Sequence, residues 1–131
     1  MSDLLDGYRS FLFVAMGAAP GAVLRIYISK KFYFYTNSQF SGILVVNLIA
    51  TFLLGLCLGL QNQFNYLTDN QPLFLILCVG FLGSLSTFSS LILELFSYSL
   101  KRKWVDLLNS LLLSLILGII VAALGYHLVN E

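Results

Sequence analysis

The residues 80–91, Gly-Phe-Leu-Gly-Ser-Leu-Ser-Thr-Phe-Ser-Ser-Leu, carry two glycines and five hydroxyl side chains. They lie inside an uncharged apolar run over 73–93, long enough to cross a bilayer. Hydroxyls and glycines weaken a spanning helix at its centre. Freed backbone groups are tolerated at that depth only where protein or an aqueous cavity receives them. The stretch therefore reads as a broken transmembrane helix whose break is an ion site. A continuous helix, with small residues for close packing and hydroxyls back-bonded to their own carbonyls, fits the same pattern. The pattern alone admits both.

Other residues at membrane depth could join such a site. Asn47 stands among Ile43, Leu44, Val45, Val46 and Leu48, where an unpaired amide costs a few kcal/mol. It must face a partner helix or water, and reads either as an interhelical hydrogen bond or as a donor to an anion. Gly17, Gly21 and Arg25 follow one another at spacings of four and share one helix face. Arg25 can snorkel to the headgroups, but its place on the glycine face favours a structural or ion-attracting role. Glu94, near the end of its span, is a solvated interfacial acid or guards a vestibule. Ser110, Ser114 and Gly118 share a face and form either a polar track or a packing stripe. Gly55 and Gly59 read as packing, and His127 as a wet surface group. Cys57 and Cys78 lie within spans and behave as small hydrophobes, giving neither a disulfide nor a metal site.

The elements that carry these residues follow from composition. The 131 residues are 59% hydrophobic and 10% charged, whereas about a quarter of a soluble domain is charged. Four windows suit spanning helices, over about 10–29, 40–60, 72–98 and 105–128. Together they predict an all-α membrane protein, a single four-helix domain over 1–131 with its third helix broken. Pro20 suggests a kink in the first helix. Residues 27–35, with five aromatics around Lys30 and Lys31, read as an interfacial belt. The stretch 61–71 reads as a polar loop without a basic residue, and Pro72 suits the first turn of the third helix. Asp3 and Asp6 before the first span, and Arg25 within it, argue against a signal peptide. A net charge of +1 gives no indication of nucleic acid.

Loop charge predicts orientation. Lys30, Lys31, Lys101, Arg102 and Lys103 fall on one side and only Arg9 on the other. Five against one places the basic loops in the cytoplasm and both termini outside, in a multi-pass protein of the plasma membrane.

Three motifs then resemble a known family, the small fluoride channels called Fluc or CrcB. They are Gly17-x-x-x-Gly21-x-x-x-Arg25, Gly42-Ile-Leu-Val-Val-Asn47, and Gly83-Ser-Leu-Ser-Thr-Phe88-Ser-Ser followed by Glu94. The resemblance covers all four spans. It implies an antiparallel dimer with two narrow pores for fluoride and a central structural sodium ion. By resemblance, the backbone carbonyls of Gly83 and Ser86 hold the sodium, while Asn47 and Phe88 line the pores with Thr87, Ser110 and Ser114. The chemistry agrees: fluoride is tightly hydrated and needs good donors, and a phenyl ring offers a positive edge. Unwound carbonyls are hard ligands suited to sodium.

Three pore-lining positions depart from the family. Leu91 replaces a second phenylalanine, Ile43 replaces a threonine, and Ser110 replaces a fourth-helix tyrosine. Together with the charge bias, they favour half of an antiparallel heterodimer over a homodimer. The expected function is passive exit of fluoride from the cytoplasm, without enzymatic chemistry. Alternatives are a homodimeric fluoride channel, a non-conducting subunit that stabilises a partner, and a proton-coupled multidrug exporter. The exporter needs a titratable acid deep in the membrane; the first helix has none, Asp106 is near an end and Glu94 is peripheral.

Overall fold

The computed structural model describes residues 2–64 and 71–130. Helix α1 spans Ser2–Thr36 and α2 spans Gln39–Phe64. The third span comprises α3 (Gln71–Phe74), a π-helical stretch (Leu75–Leu82), α4 (Gly83–Leu85) and α5 (Phe88–Leu100). Helix α6, Trp104–Asn130, completes the chain. Four helical segments are long and apolar enough to cross a membrane: Gly7–Thr36, Gln39–Asn62, Pro72–Leu100 and Trp104–Asn130. The described residues form an all-α membrane protein with its third helix broken.

Several boundaries differ from the sequence reading. Helix α1 continues through the aromatic and basic belt, because nothing in residues 30–36 stops a helix until Asn37. Pro20 sits inside α1 without ending it. Helix α2 runs to Phe64, so the start of the expected 61–71 loop is helical; residues 65–70 lie outside the described residues. The two described corners are tight. Asn37 (φ 52°) and Arg102 (φ 54°) each adopt the left-handed conformation, which asparagine accepts more readily than arginine. Asn37 N–H donates to the Tyr33 carbonyl at 2.9 Å, and Lys103 N–H to the Tyr98 carbonyl at 2.9 Å.

Glycines set the helix contacts, as small residues do where backbones approach in lipid. A Cβ on Gly17 would strike the Ile76 carbonyl, and one on Gly80 would strike the Val14 carbonyl. Gly21 sits equally tightly against Ser84 and the Phe81 carbonyl. The Gly17 and Gly80 contacts fall inside the π-helical stretch, the part of the span that the sequence did not announce. Gly42 brings α2 against Ser29 of α1, while Gly55 and Gly125 seat α2 against α6.

Two buried clusters flank the break. One joins Val46 and Ala50 of α2 to Leu82 and Leu85. The other joins Ile43 of α2 to Leu91 and Leu95 of α5.

These contacts predict a contrast between two glycines. Gly80→Ala forces a methyl to 3.1 Å from Gly17 Cα and onto a carbonyl of α1, an overpacking expected to cost about 1–3 kcal/mol. Gly118→Ala meets nothing within 4 Å and is expected to stabilise by up to about 1 kcal/mol through helix propensity. Unfolding curves in detergent, titrated with SDS, check both. Equal curves would contradict the close contact at Gly80.

A candidate ion site at the broken third span

The break is two residues wide. Ser86 (φ −71°, ψ 151°) and Thr87 (φ −146°, ψ 112°) are extended between α4 and α5. Asn47 closes it. Its Oδ1 accepts from Thr87 N–H at 2.8 Å, and its Nδ2 donates to the Thr87 carbonyl at 3.2 Å. Both polar groups of one extended residue are thus satisfied by one amide from α2. Of the two sequence readings for Asn47, the structure displays the interhelical hydrogen bond. One of its two N–H bonds is used there, which leaves one amide donor over.

Thr87 is the N-cap of α5. Its Oγ1 accepts from Ser90 N–H at 3.3 Å, donates to Ser90 Oγ at 3.1 Å and lies 3.2 Å from Ser89 Oγ. This β-branched residue suits the extended backbone and its hydroxyl supplies the cap. Thr87 is buried, at 7% exposure.

These bonds have a consequence for the carbonyls. The last helical bond before the break runs from Ser86 N–H to the Leu82 carbonyl at 3.1 Å. In an unbroken helix Gly83 and Ser86 would accept from Thr87 and Ser90, four residues on. Asn47 Oδ1 takes the first of those N–H groups and Thr87 Oγ1 the second. The Gly83 and Ser86 carbonyls are therefore released from helical pairing. Gly83 is exposed, and a Cβ there would meet nothing within 4 Å. As neutral hard oxygens, such carbonyls fit a sodium ion.

Phe88, the next residue, is 74% exposed in the single chain. A cavity of about 460 Å³ opens beside the break, lined by Arg25, Ser29, Lys30, Gln39, Thr87 and Ser90, with Ile43 at its wall. Its charged side chains, Arg25 and Lys30, are both cations. Arg25 makes no ion pair among the described residues. A second cavity of about 430 Å³ contains Glu94 and Lys101 and shares Gln39 and Ser90 with the first. Arg25 and Glu94 thus face neighbouring cavities, not each other.

The remaining candidates are elsewhere. Ile43 and Leu91 are buried together, at 5% and 6% exposure. Ser110 is buried on α6, and Ser114 is half-buried on the same face; neither lines the two cavities. The sequence reading missed Lys30 and Gln39 as cavity residues. Lys30 sits one turn and a residue beyond Arg25, but its place in the aromatic belt had suggested a headgroup partner. Gln39 opens α2 and carried no depth signal.

The chain is similar to known proteins over nearly its whole length. Residues 12–126 match the family model described as CrcB-like protein, Camphor Resistance (CrcB). A protein of Prochlorococcus marinus strain SARG, named Fluoride-specific ion channel FluC 2, is 48% identical over 130 residues and covers 99% of each chain. A second relative, Fluoride-specific ion channel FluC 1 of Prochlorococcus marinus strain MIT 9313, is 37% identical over 99% of each chain. Fluoride-specific ion channel FluC of Haemophilus influenzae strain PittEE is 39% identical over 75% of each. With nearly its whole length matched, and with the glycine, asparagine and broken-helix motifs in place, the chain belongs to the CrcB family.

Proposed function

We propose that this chain is a subunit of a passive, fluoride-selective channel, and that it works as half of an antiparallel dimer. The observation that carries this reading is the lock between Asn47 and Thr87. It fixes a non-helical break at membrane depth and leaves donors, a phenyl ring and free carbonyls around it. The cationic cavity of Arg25 and Lys30 concentrates an anion at its mouth. From there the spare Asn47 N–H, the Ser89 and Ser90 hydroxyls and the edge of Phe88 offer replacements for its water. The process is passive permeation, with no bond made or broken.

Exposure of Phe88 and Gly83 in one chain supports a site finished by a second subunit. Loop charges of five against one favour a partner of opposite bias, hence a heterodimer with this chain's termini outside and its basic loops cytoplasmic. The numbered names FluC 1 and FluC 2 among the relatives are consistent with paired homologous chains. Reconstitution tests this directly. Liposomes holding this chain alone should show little fluoride efflux, and adding a homologous chain of opposite charge bias should restore it. Robust efflux from the lone chain, with residues 30 and 101 labelled equally from both sides, would establish a homodimer instead.

The burial of Ile43 and Leu91 against each other favours one second reading. A chain so packed can complete its partner's pore without lining one of its own. Phe88→Ile in this chain alone would then leave efflux of the mixed assembly undiminished.

Sodium belongs to the proposal through the released carbonyls of Gly83 and Ser86. Because the ligands are backbone atoms, Ser86→Ala is expected to reduce efflux less than about twofold. Replacing sodium throughout with a large organic cation is expected to weaken assembly, and cross-linking yield in detergent measures it. Assembly and efflux unchanged without sodium would remove the ion from the site.

A further inference from the structure

The cavity of about 460 Å³ beside the break is far larger than a single halide. A water in the liquid takes about 30 Å³, so the space corresponds to about fifteen of them. A halide stripped of its water would touch one wall and leave the others to solvent. The volume lies instead in the range of small-molecule sites, about 300–1,000 Å³.

Three helices supply donors to this space. Along α1, Arg25, Ser29 and Tyr33 follow at spacings of four and rise about 12 Å on one face, with Lys30 beside them. Helix α2 contributes the amide of Gln39, and α5 the hydroxyl of Ser90. The Ser90 oxygen already accepts from Thr87 Oγ1 at 3.1 Å, which leaves its own proton to donate. Among the described residues, no carboxylate lines the cavity, and neither Arg25 nor Lys30 is in an ion pair. Glu94 is in the adjoining cavity with Lys101, and Asp106 is paired with Lys103 at 3.9 Å.

Donors that converge from three helices need an acceptor with oxygens in several directions. A carboxylate is planar and offers two. A phosphate-type oxyanion is tetrahedral: a guanidinium fork takes two of its oxygens while an ammonium takes another. We propose that this cavity binds a tetrahedral oxyanion of the phosphate class, either free or as the phosphate of an anionic lipid headgroup. Arg25 grips it as a fork, Lys30 adds a point charge, and the hydroxyls and the Gln39 amide close around it. Ile26 is exposed on the same stretch of α1, so an acyl chain attached to the phosphate would meet apolar surface. The site stands apart from the fluoride reading, because binding is measured on the folded chain whether or not any assembly conducts.

Calorimetric titration of the full chain in neutral detergent tests this, at constant ionic strength made up with chloride. Inorganic phosphate is expected to bind saturably. R25Q or K30Q is expected to weaken binding about tenfold or more, since each removes a hydrogen bond to the charged ligand. R25K keeps the charge but not the fork and should fall between. Lys31 is exposed and outside the cavity, so K31Q should bind as the unsubstituted chain does. Thermal unfolding without ligand shows which variants are folded; should R25Q not fold, K30Q decides, because Lys30 is exposed. A second titration, with phosphatidylglycerol in the micelles and phosphatidylcholine as the neutral control, distinguishes the source. Saturable binding of phosphate supports the free ion, and a response to phosphatidylglycerol alone supports the headgroup. Silence toward both would overturn the proposal. So would binding that K31Q weakens as much as K30Q, since general charge attraction would then account for it.

Discussion

Phe88→Ile is expected to bring fluoride efflux of the conducting assembly down to the level of protein-free liposomes. The ring opens α5 directly after the break, and most of it lies outside the chain's own core. Isoleucine keeps the bulk and the apolar character but has no positive edge for an anion. With so little buried contact to lose, stability of the chain should change by less than about 0.5 kcal/mol. Loss of efflux with an unchanged unfolding curve assigns the effect to the pathway. Full efflux in the variant would take Phe88 out of it.

Asn47→Leu should act on both function and fold. It removes the acceptor of Thr87 N–H and the donor to its carbonyl in one substitution. Each buried group left unpaired costs about 1–3 kcal/mol, so a total loss of about 2–6 kcal/mol is expected. Efflux should vanish as well, because the carbonyls of Gly83 and Ser86 regain their helical donors if Thr87 rewinds. Asn47→Leu therefore cannot serve as a folded, pore-dead control in the way that Phe88→Ile can. SDS unfolding of the two variants side by side separates them. An Asn47→Leu chain as stable as the unsubstituted one would show that Thr87 finds other partners.

Much of the fold was legible because lipid leaves few choices. Four apolar runs with polar or basic punctuation must be four spans, and a glycine- and serine-rich centre marks a weak helix. The position of the break within that centre was not legible. It depends on Asn47, forty residues earlier, reaching Thr87 and no other residue. Likewise the π-helical winding of Leu75–Leu82 arises where α1 presses closely on the third span, a tertiary contact without a local signature. The candidate site was visible in residue types and invisible in pairing. Asn47 offered two roles that only a located partner distinguishes. Ile43 and Leu91 stand at positions that the resemblance assigns to a pore, yet their apolar side chains meet each other.

The break can also be regarded as a junction of opposed dipoles. The helical run ending at Leu85 presents its negative carbonyl end, and α5 begins two residues later with its positive amide end. Two half-charges of opposite sign are thereby held a few ångströms apart at membrane depth, where screening is weakest. A cation is favoured on one side of Ser86 and Thr87 and an anion on the other, whatever the side chains. On the proposed reading, a cation and an anion held at the two ends would attract one another across the break, so their binding would be linked and reciprocal. One extended dipeptide thus gives the third span a polarity that an unbroken helix would express only at its ends.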